Sequence, residues 1–302
     1  MGSIRVLREF SAADVAGIRA LADAVEVATG VVPFGDDAWT GMHEGGGRDR
    51  GLLTASGDAY AHLAHHHDTE WSLELAVRAD TPDARDALLR AALAVVAADG
   101  GGHVTYWIHG ATVDDDAPAR AAGFTLEREL LQMRVPLPLA DPPRWPDGTT
   151  VRAFVPGDDE AAWVAVNNRA FAGHPEQGAW TVDMLRARQR EAWFDPEGFL
   201  LAFDADGLAG SCWTKVHPAQ PPREPEPLGE IYVIGADPSR HGRGLGRALT
   251  TAGLEWLAKQ GVTVGMLFVD AANEAAVGLY RALGFVTHRT DRAYGGDVAV
   301  AS

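Results

Sequence analysis

The sequence predicts an α/β protein built of two similar domains in tandem, each with a mixed, mostly antiparallel sheet flanked by helices. The chain has 302 residues, about twice the usual length of one domain. A stretch with five prolines, residues 135–150, interrupts the helix and strand patterns near the middle of the chain. The segments on either side of this stretch begin and end alike, which indicates a tandem duplication.

The matching beginnings are a strand followed by a helix, IRVLREFSAADVAGIRAL from residue 4 and TVRAFVPGDDEAAWVAVN from residue 150. Ser11 is a typical N-cap for the first of these helices. The matching ends are a helix stopped by Gly123 or Gly284, then a phenylalanine and a strand. The predicted division of the chain is an N-terminal domain, a linker and a C-terminal domain, at residues 1–138, 139–149 and 150–302.

The second half shows its elements most clearly. Two antiparallel strands, FLLAFDADG and LAGSCWTKV, meet at the turn Asp206–Gly207 and are followed by a proline-rich loop. A strand–helix–strand–helix series then follows and leads to a final strand. The predicted ranges of that series are 230–236, 243–259, 264–270 and 274–283.

Composition and net charge limit the partners and the compartment that we expect for this protein. The net charge of -16 argues against nucleic acid as the main partner, since proteins that bind its backbone present basic faces. The N-terminus shows no signal peptide and the chain has no apolar run of about 18 residues, so we expect no membrane partner. The single cysteine, Cys212, fits a reducing compartment. We expect a cytoplasmic monomer without a metal; HHHD at 65–68 is interpreted as a surface loop.

A glycine-rich turn, within YVIGADPSRHGRGLGRAL at 232–249, joins an apolar strand to a helix. Gly242, Gly244 and Gly246 are flanked there by the basic residues Arg240, Arg243 and Arg247. Exposed amides at a helix N-terminus bind anions, and the pattern fits neither a Walker A loop nor a dinucleotide fingerprint. The turn therefore predicts a pyrophosphate site; the alternative is a structural connection that glycine merely shortens.

Three further side chains are candidates for chemistry. Strand alternation places Glu230, Tyr232 and Ile234 on one face, where the Glu230 carboxylate is a candidate proton acceptor. Its alternative is a glutamate in solvent at the edge of a strand. Asn273 is a natural N-cap, and Tyr280 lies two helical turns beyond it. Tyr280 is a candidate proton donor, and its alternative is a core tyrosine.

This turn resembles the R/Q-x-x-G-x-G/A signature of the GCN5-related N-acetyltransferases (GNATs), with His241 in the first position. The segment from Asn273 to Phe285 is similar to a second pattern of that family, N-x-x-A-x-x-x-Y-x-x-x-G-F. The resemblance implies that the turn holds the pyrophosphate of acetyl-CoA, that the strand before it splays, and that the Ile234 amide stabilises the oxyanion. The coenzyme A contacts it implies are Ile234, Gly235, Ala236, His241, Gly242, Arg243, Gly244, Leu245, Gly246, Arg247 and Asn273.

Four segments look like those of the mycothiol synthases, a family of tandem acetyltransferases: VNNRAFAGHPEQGAWT, EAWFDPEG, WTKVHP and GFVTHRTDRAY. That resemblance implies acetylation of the cysteinyl amine of cysteinyl-glucosaminyl-inositol, with Glu230 as general base and Tyr280 as general acid. Phe268 stands where the family often has an aromatic hydroxyl. The residues that the resemblance places at the substrate are Asp36, Glu176, Lys215, Glu230 and Phe268.

The first domain shows no glycine turn of its own. The corresponding stretch, LELAVRADTPDARDALLRAAL, contains no glycine, and its aspartates Asp80, Asp83 and Asp86 would repel an anion. We therefore expect one competent site, in the second domain. Two other functions remain open: an acetyltransferase of this fold acting on another amine, an aminoglycoside or a protein N-terminus, and a non-catalytic acetyl-CoA sensor. The presence of both Glu230 and Tyr280 speaks against the sensor.

Overall fold

The structure, a computed structural model, describes residues 3–44, 47, 49–66, 69–172, 178–220 and 224–301. The strands are β1 (Ile4–Leu7), β2 (Arg50–Thr54), β3 (Ala59–His65), β4 (Glu70–Val77), β5 (Gly102–Ile108), β6 (Thr125–Pro136), β7 (Thr150–Ala153), β8 (Phe199–Asp204), β9 (Gly207–His217), β10 (Leu228–Ala236), β11 (Val264–Asp270) and β12 (Val286–Val298). The helices are α1 (Ala12–Thr29), α2 (Asp36–Glu44), α3 (Asp83–Ala98), α4 (Asp116–Ala121), α5 (Glu160–Ala170), α6 (Val182–Arg188), α7 (Leu245–Lys259) and α8 (Glu274–Ala282). Among the described residues, none of the helices combines the length and apolar character that crossing a bilayer requires.

The chain forms two compact units that exchange short pieces of sequence. Unit 1 contains Met1–Leu131, Asp270–Ala272 and Arg289–Ser302, and unit 2 contains Gln132–Val269 and Asn273–His288. This grouping differs from the predicted division along the chain, because the last residues of the chain group with the first unit.

Both units pair their strands in the same way, which confirms the predicted mixed, mostly antiparallel sheets. In unit 1, β1, β2, β3 and β4 are consecutive antiparallel neighbours, β4 runs parallel to β5, and β5 pairs antiparallel with β12. In unit 2, β7, β8, β9 and β10 are antiparallel neighbours, and β10 runs parallel to β11. The helices α3 and α7 provide the connections that parallel pairs require.

Local capping determines where the helices begin. Ser11 caps α1, as predicted: its side chain accepts from the Asp14 amide, and the Ser11 amide donates to the Asp14 carboxylate. In unit 1, α3 packs Leu88 and Leu89 into a core with residues of β2, β3 and β4. This packing buries the apolar face of the helix, which is the main source of helix stability in proteins.

The core of unit 2 is aromatic on the α5 side of its sheet. Trp213 stacks on Phe199 with ring centroids 4.5 Å apart, and both side chains are fully buried. Trp163 of α5 meets Trp213 edge to face and donates its indole N–H to Ser211 Oγ at 2.9 Å. Cys212 is buried in the sheet, and burial raises the pKa of its thiol to about 12.

Candidate active site

The centre of unit 2 is a gap between the two parallel strands of its sheet. β10 and β11 pair over three positions, from Leu228 opposite Val264 to Glu230 opposite Met266. Both strands continue beyond Glu230 and Met266, but the pairing between them ends there. The later residues of β10 therefore have backbone groups that no described residue of β11 uses. Such groups are suited to an extended ligand that takes the place of a strand.

A β-bulge in β10 corrects the predicted arrangement of side chains. The pairing with β9 runs Ile231 opposite Thr214 and then Val233 opposite Trp213, so Tyr232 is an extra residue. Glu230 and Tyr232 still share the face of Trp213, whose ring meets Tyr232 at 5.2 Å.

The prediction that Ile234 shares the face of Glu230 and Tyr232 is wrong, because the bulge moves it to the other face. Ile234 lies opposite Cys212. The Cys212 sulfur is so close to Gly253 of α7 that a Cβ built on that glycine would lie 2.5 Å from it. Ile234 therefore belongs to the α7 side of the sheet.

The glycine-rich turn leads directly into α7. Gly242 and Gly244 have φ values of 77° and 86°, a left-handed conformation that costs other residues about 1–2 kcal/mol. Gly244 is the N-cap of α7 and makes no side-chain cap hydrogen bond, so no side chain at that position covers the first amides of the helix. The helix begins at Leu245, two residues later than predicted, because the two left-handed glycines delay it.

The basic residues of the turn have different roles. Arg240 pairs with Asp204 and Asp206, at 2.6 and 3.1 Å, and so anchors the turn to the end of β8. His241 donates from Nε2 to the Ala236 carbonyl at 3.2 Å, a contact within the turn itself. Arg243 and Arg247 are exposed, and neither forms an ion pair among the residues the structure describes. These two side chains are the ones suited to meet an anion.

α8, the helix that carries Tyr280, lies close to the start of α7. Asn273 caps this helix, as predicted, and its Oδ1 accepts from the Ala276 amide at 3.2 Å. Leu279 of α8 lies close to Gly246 of α7, since a Cβ built on that glycine would be 3.8 Å from Leu279 Cδ2. Tyr280 is 6% exposed, and burial raises the pKa of its phenol. Tyr280 therefore carries its proton at neutral pH.

Glu230 is buried, so the alternative of a solvated strand-edge glutamate is wrong. The residue is 8% exposed, and its Oε2 lies 2.7 Å from His217 Nε2. Sequence reasoning missed His217. The available signal was its place two residues after Lys215, in WTKVHP, where strand alternation puts both side chains on one face.

The predicted substrate residues are only partly placed by the structure. Lys215 lies opposite Glu230, with its Nζ 4.8 Å from the Trp193 ring centroid and 5.6 Å from that of Tyr232. Phe268 is 37% exposed on β11. Glu176 lies outside the described residues, as does the side chain of Asp36, the first residue of α2. The structure therefore brings together Glu230 and Lys215 but leaves the other contacts as predictions.

Unit 1 contains the corresponding pair of strands without a glycine turn. β4 and β5 pair as far as Glu74 opposite Trp107, and a cavity of about 330 Å³ lies beyond that point. α3 follows Pro82 in a right-handed conformation, with Asp83 and Asp86 in its first turn. Its one basic residue near this end, Arg85, pairs with Asp115 at 2.8 Å. That the chain has one competent acetyl-CoA site, in unit 2, remains a prediction, and this geometry of unit 1 supports it.

The histidine-rich stretch at 65–68 is described only for its first two residues. His65 packs edge to face on Trp71, and His66 lies 2.9 Å from Ser72 Oγ. His67 and Asp68 lie outside the described residues. Within the described ranges, no group of three or more metal-ligating side chains forms.

Comparison with known proteins gives one consistent family. The model of the acetyltransferase (GNAT) family matches residues 161–285. A mycothiol acetyltransferase of Thermobispora bispora is 45% identical over 97% of this chain and 99% of its own length. Among solved structures, a GCN5-related N-acetyltransferase from Sphaerobacter thermophilus has a TM-score of 0.75 at 22% identity, covering 99% of this chain and 97% of that one. A tandem GNAT protein from the clavulanic acid biosynthesis pathway has a TM-score of 0.70 at 17% identity, covering 99% of this chain and all of that one, which supports the tandem fold.

Proposed function

Because this chain belongs to the mycothiol acetyltransferases and is an acetyl-CoA-dependent N-acetyltransferase of the GNAT family, we propose that it acetylates cysteinyl-glucosaminyl-inositol. The acetyl group moves from the sulfur of acetyl-CoA to the cysteinyl amine, and the products are mycothiol and coenzyme A. The observation that carries the proposal is the buried carboxylate of Glu230 at the point where β10 and β11 separate.

We propose that the glycine-rich turn holds the pyrophosphate of acetyl-CoA. The residues present fit the group, because two left-handed glycines leave the first amides of α7 without a side-chain cap and Arg243 and Arg247 are exposed beside them. The extended arm of the cofactor would lie along residues 234–236 of β10, where pairing with β11 has ended. Asn273 is proposed to contact the cofactor from the start of α8.

The chemistry follows from three groups of this unit. Glu230 accepts a proton from the cysteinyl ammonium, which leaves a neutral amine able to attack the thioester carbon. The Ile234 amide stabilises the negative charge that forms on the carbonyl oxygen. The C–S bond then breaks while the new C–N bond is retained, and Tyr280 supplies a proton to the sulfur. The positively charged nitrogen loses its second proton, which passes through solvent to the Tyr280 phenolate, and Glu230 releases the first proton to solvent.

The acceptor is proposed to bind on the Glu230 face of the sheet. Lys215, opposite Glu230, presents a cation there, and Phe268 and Glu176 are proposed as further contacts. A sugar–inositol conjugate carries many hydroxyl groups, which call for several oriented polar side chains. We further propose a cytoplasmic monomer that uses no metal and in which unit 1 serves as a scaffold.

The test is an assay of thiol release from acetyl-CoA with purified protein. We expect turnover with cysteinyl-glucosaminyl-inositol and a loss of about 10²–10⁴-fold in Glu230→Gln. Acetylation of an aminoglycoside but not of this conjugate would contradict the proposed substrate. Normal turnover by Glu230→Gln would contradict the proposed role of Glu230.

A further inference from the structure

We infer that His217 is the positioning residue for Glu230: its imidazole holds Oε2 of the carboxylate so that Oε1 faces the acceptor amine. This inference rests on the proposed role of Glu230 as the proton acceptor. His217 lies in β9 and has no role among the contacts that the sequence predicts.

The strand register places the two side chains on one face of the sheet. Leu228 lies opposite His217, and Glu230 lies opposite Lys215, so His217 is the diagonal neighbour of Glu230 on the next strand. Diagonal neighbours in an antiparallel pair are within reach of each other when the side chains are long. The contact is therefore built into two strands of the sheet.

The distance determines what lies between the two groups. His217 Nε2 and Glu230 Oε2 are 2.7 Å apart, which is the length of a charge-assisted hydrogen bond. Two lone pairs would repel at that separation, so a proton lies between the nitrogen and the oxygen. With Glu230 ionised, Nε2–H is the donor, and the second carboxylate oxygen is the one available to accept a proton from substrate.

The ammonium group of Lys215 is near Glu230 but contacts aromatic rings instead of the carboxylate. Lys215 stands directly opposite Glu230, yet its ammonium lies over the rings of Trp193 and Tyr232 and forms no ion pair with a carboxylate among the described residues. A full positive charge in contact with a carboxylate favours the ionised form and weakens it as a base. The group that contacts the Glu230 carboxylate is therefore the imidazole of His217 and not the ammonium of Lys215.

Burial makes the hydrogen bond necessary for correct positioning. The side chain of Glu230 is 10% exposed and that of His217 is 28% exposed. A carboxylate oxygen left without a donor in such a site turns toward another partner or toward water. Displacement of a reacting group by about 1 Å can cost on the order of 100-fold in rate. Loss of the imidazole therefore lowers the rate of the chemical step and has little effect on the binding of acetyl-CoA.

The experiment compares His217→Gln with His217→Leu in the thiol-release assay. The glutamine amide N–H can donate to Oε2 in place of Nε2–H, whereas leucine cannot donate. We expect His217→Leu to lower kcat on the order of 10–100-fold with the KM for acetyl-CoA within about twofold. We expect His217→Gln to keep kcat within about fivefold of the parent protein.

A matched control is His103→Leu, which breaks a second histidine–carboxylate pair, 2.8 Å from Asp297 in unit 1, and should leave kcat unchanged. Thermal unfolding of all variants distinguishes a loss of folding from a displacement of the Glu230 carboxylate. Full activity of His217→Leu, or equal loss in the Leu and Gln variants, overturns the proposed role of His217 but not that of Glu230. Absence of turnover by the parent protein overturns the proposed function and, with it, this inference.

Discussion

Arg240 and Asp204 form an ion pair, with Arg240 Nε 2.6 Å from Asp204 Oδ2, that ties the glycine-rich turn to the last residue of β8. The Arg240 side chain is only 17% exposed, and its guanidinium also contacts Asp206. Sequence spacing placed Arg240 among the basic residues of an anion site, but this arginine already has carboxylate partners. Its function in the fold is to hold the turn in place.

We predict that Arg240→Ala raises the KM for acetyl-CoA roughly threefold to tenfold and leaves kcat nearly unchanged, because the anchor acts on cofactor binding and not on the reacting atoms. Steady-state kinetics with acetyl-CoA as the varied substrate measures this effect. In a double-mutant cycle with Asp204→Asn, the second substitution should add little to the first. Additive effects would show that the pair does not act as a unit.

The two left-handed glycines give a second prediction. Gly244→Ala should lower the free energy of unfolding by about 1–2 kcal/mol and weaken acetyl-CoA binding, because a side chain is strained at a φ of 86°. Isothermal calorimetry and chemical denaturation measure the two effects.

The control for Gly244→Ala is Gly278→Ala, in α8, where an added Cβ meets nothing within 4 Å. This change should instead stabilise the protein by about 0.5–1 kcal/mol, since alanine favours a helix over glycine. Equal destabilisation by both substitutions would refute the conformational argument.

Tyr280 is predicted to act in the chemical step. Tyr280→Phe should lower kcat on the order of 100-fold, because the protonated phenol supplies a proton to the departing thiolate, and should leave the KM for acetyl-CoA nearly unchanged. Tyr106→Phe, at a tyrosine that is 2% exposed in unit 1, is the matched control and should keep normal activity. An unaltered kcat in Tyr280→Phe would remove this residue from the mechanism.

A charged histidine in unit 1 predicts a pH dependence of stability. Burial disfavours a charge on His109, but hydrogen bonds to the carboxylates of Asp291 and Glu74 outweigh it and raise the pKa of the imidazole to about 9. Since this pKa is higher in the folded than in the unfolded state, the stabilisation is complete below about pH 6.5 and is lost as the pH rises toward 9.

The measurement is the Tm of the parent protein and of His109→Gln at pH 6 and pH 9.5. The Tm difference between the two proteins should be larger at pH 6, because only there does the charged imidazole stabilise the folded state. The same difference at both pH values would show that His109 does not carry this charge.

Local sequence was sufficient for the main elements of the site. Three glycines at the start of a helical pattern indicated the turn, and Ser11 and Asn273 cap their helices where predicted. These features depend on backbone conformation and on hydrogen bonds between residues three positions apart. Such interactions involve only residues that are close together in the sequence, so they can be predicted without knowing the tertiary contacts.

Contacts across strands could not be predicted in this way. The pairing of His217 with Glu230 and the anchoring of Arg240 by Asp204 depend on strand register, and one extra residue in β10 moved Ile234 to the opposite face. Sequence by itself determined the tandem α/β fold, the glycine-rich turn and the caps, because local conformational preferences decide them. Only the tertiary structure decided which charges meet and which face each strand residue occupies, because register is set by packing between segments far apart in the chain.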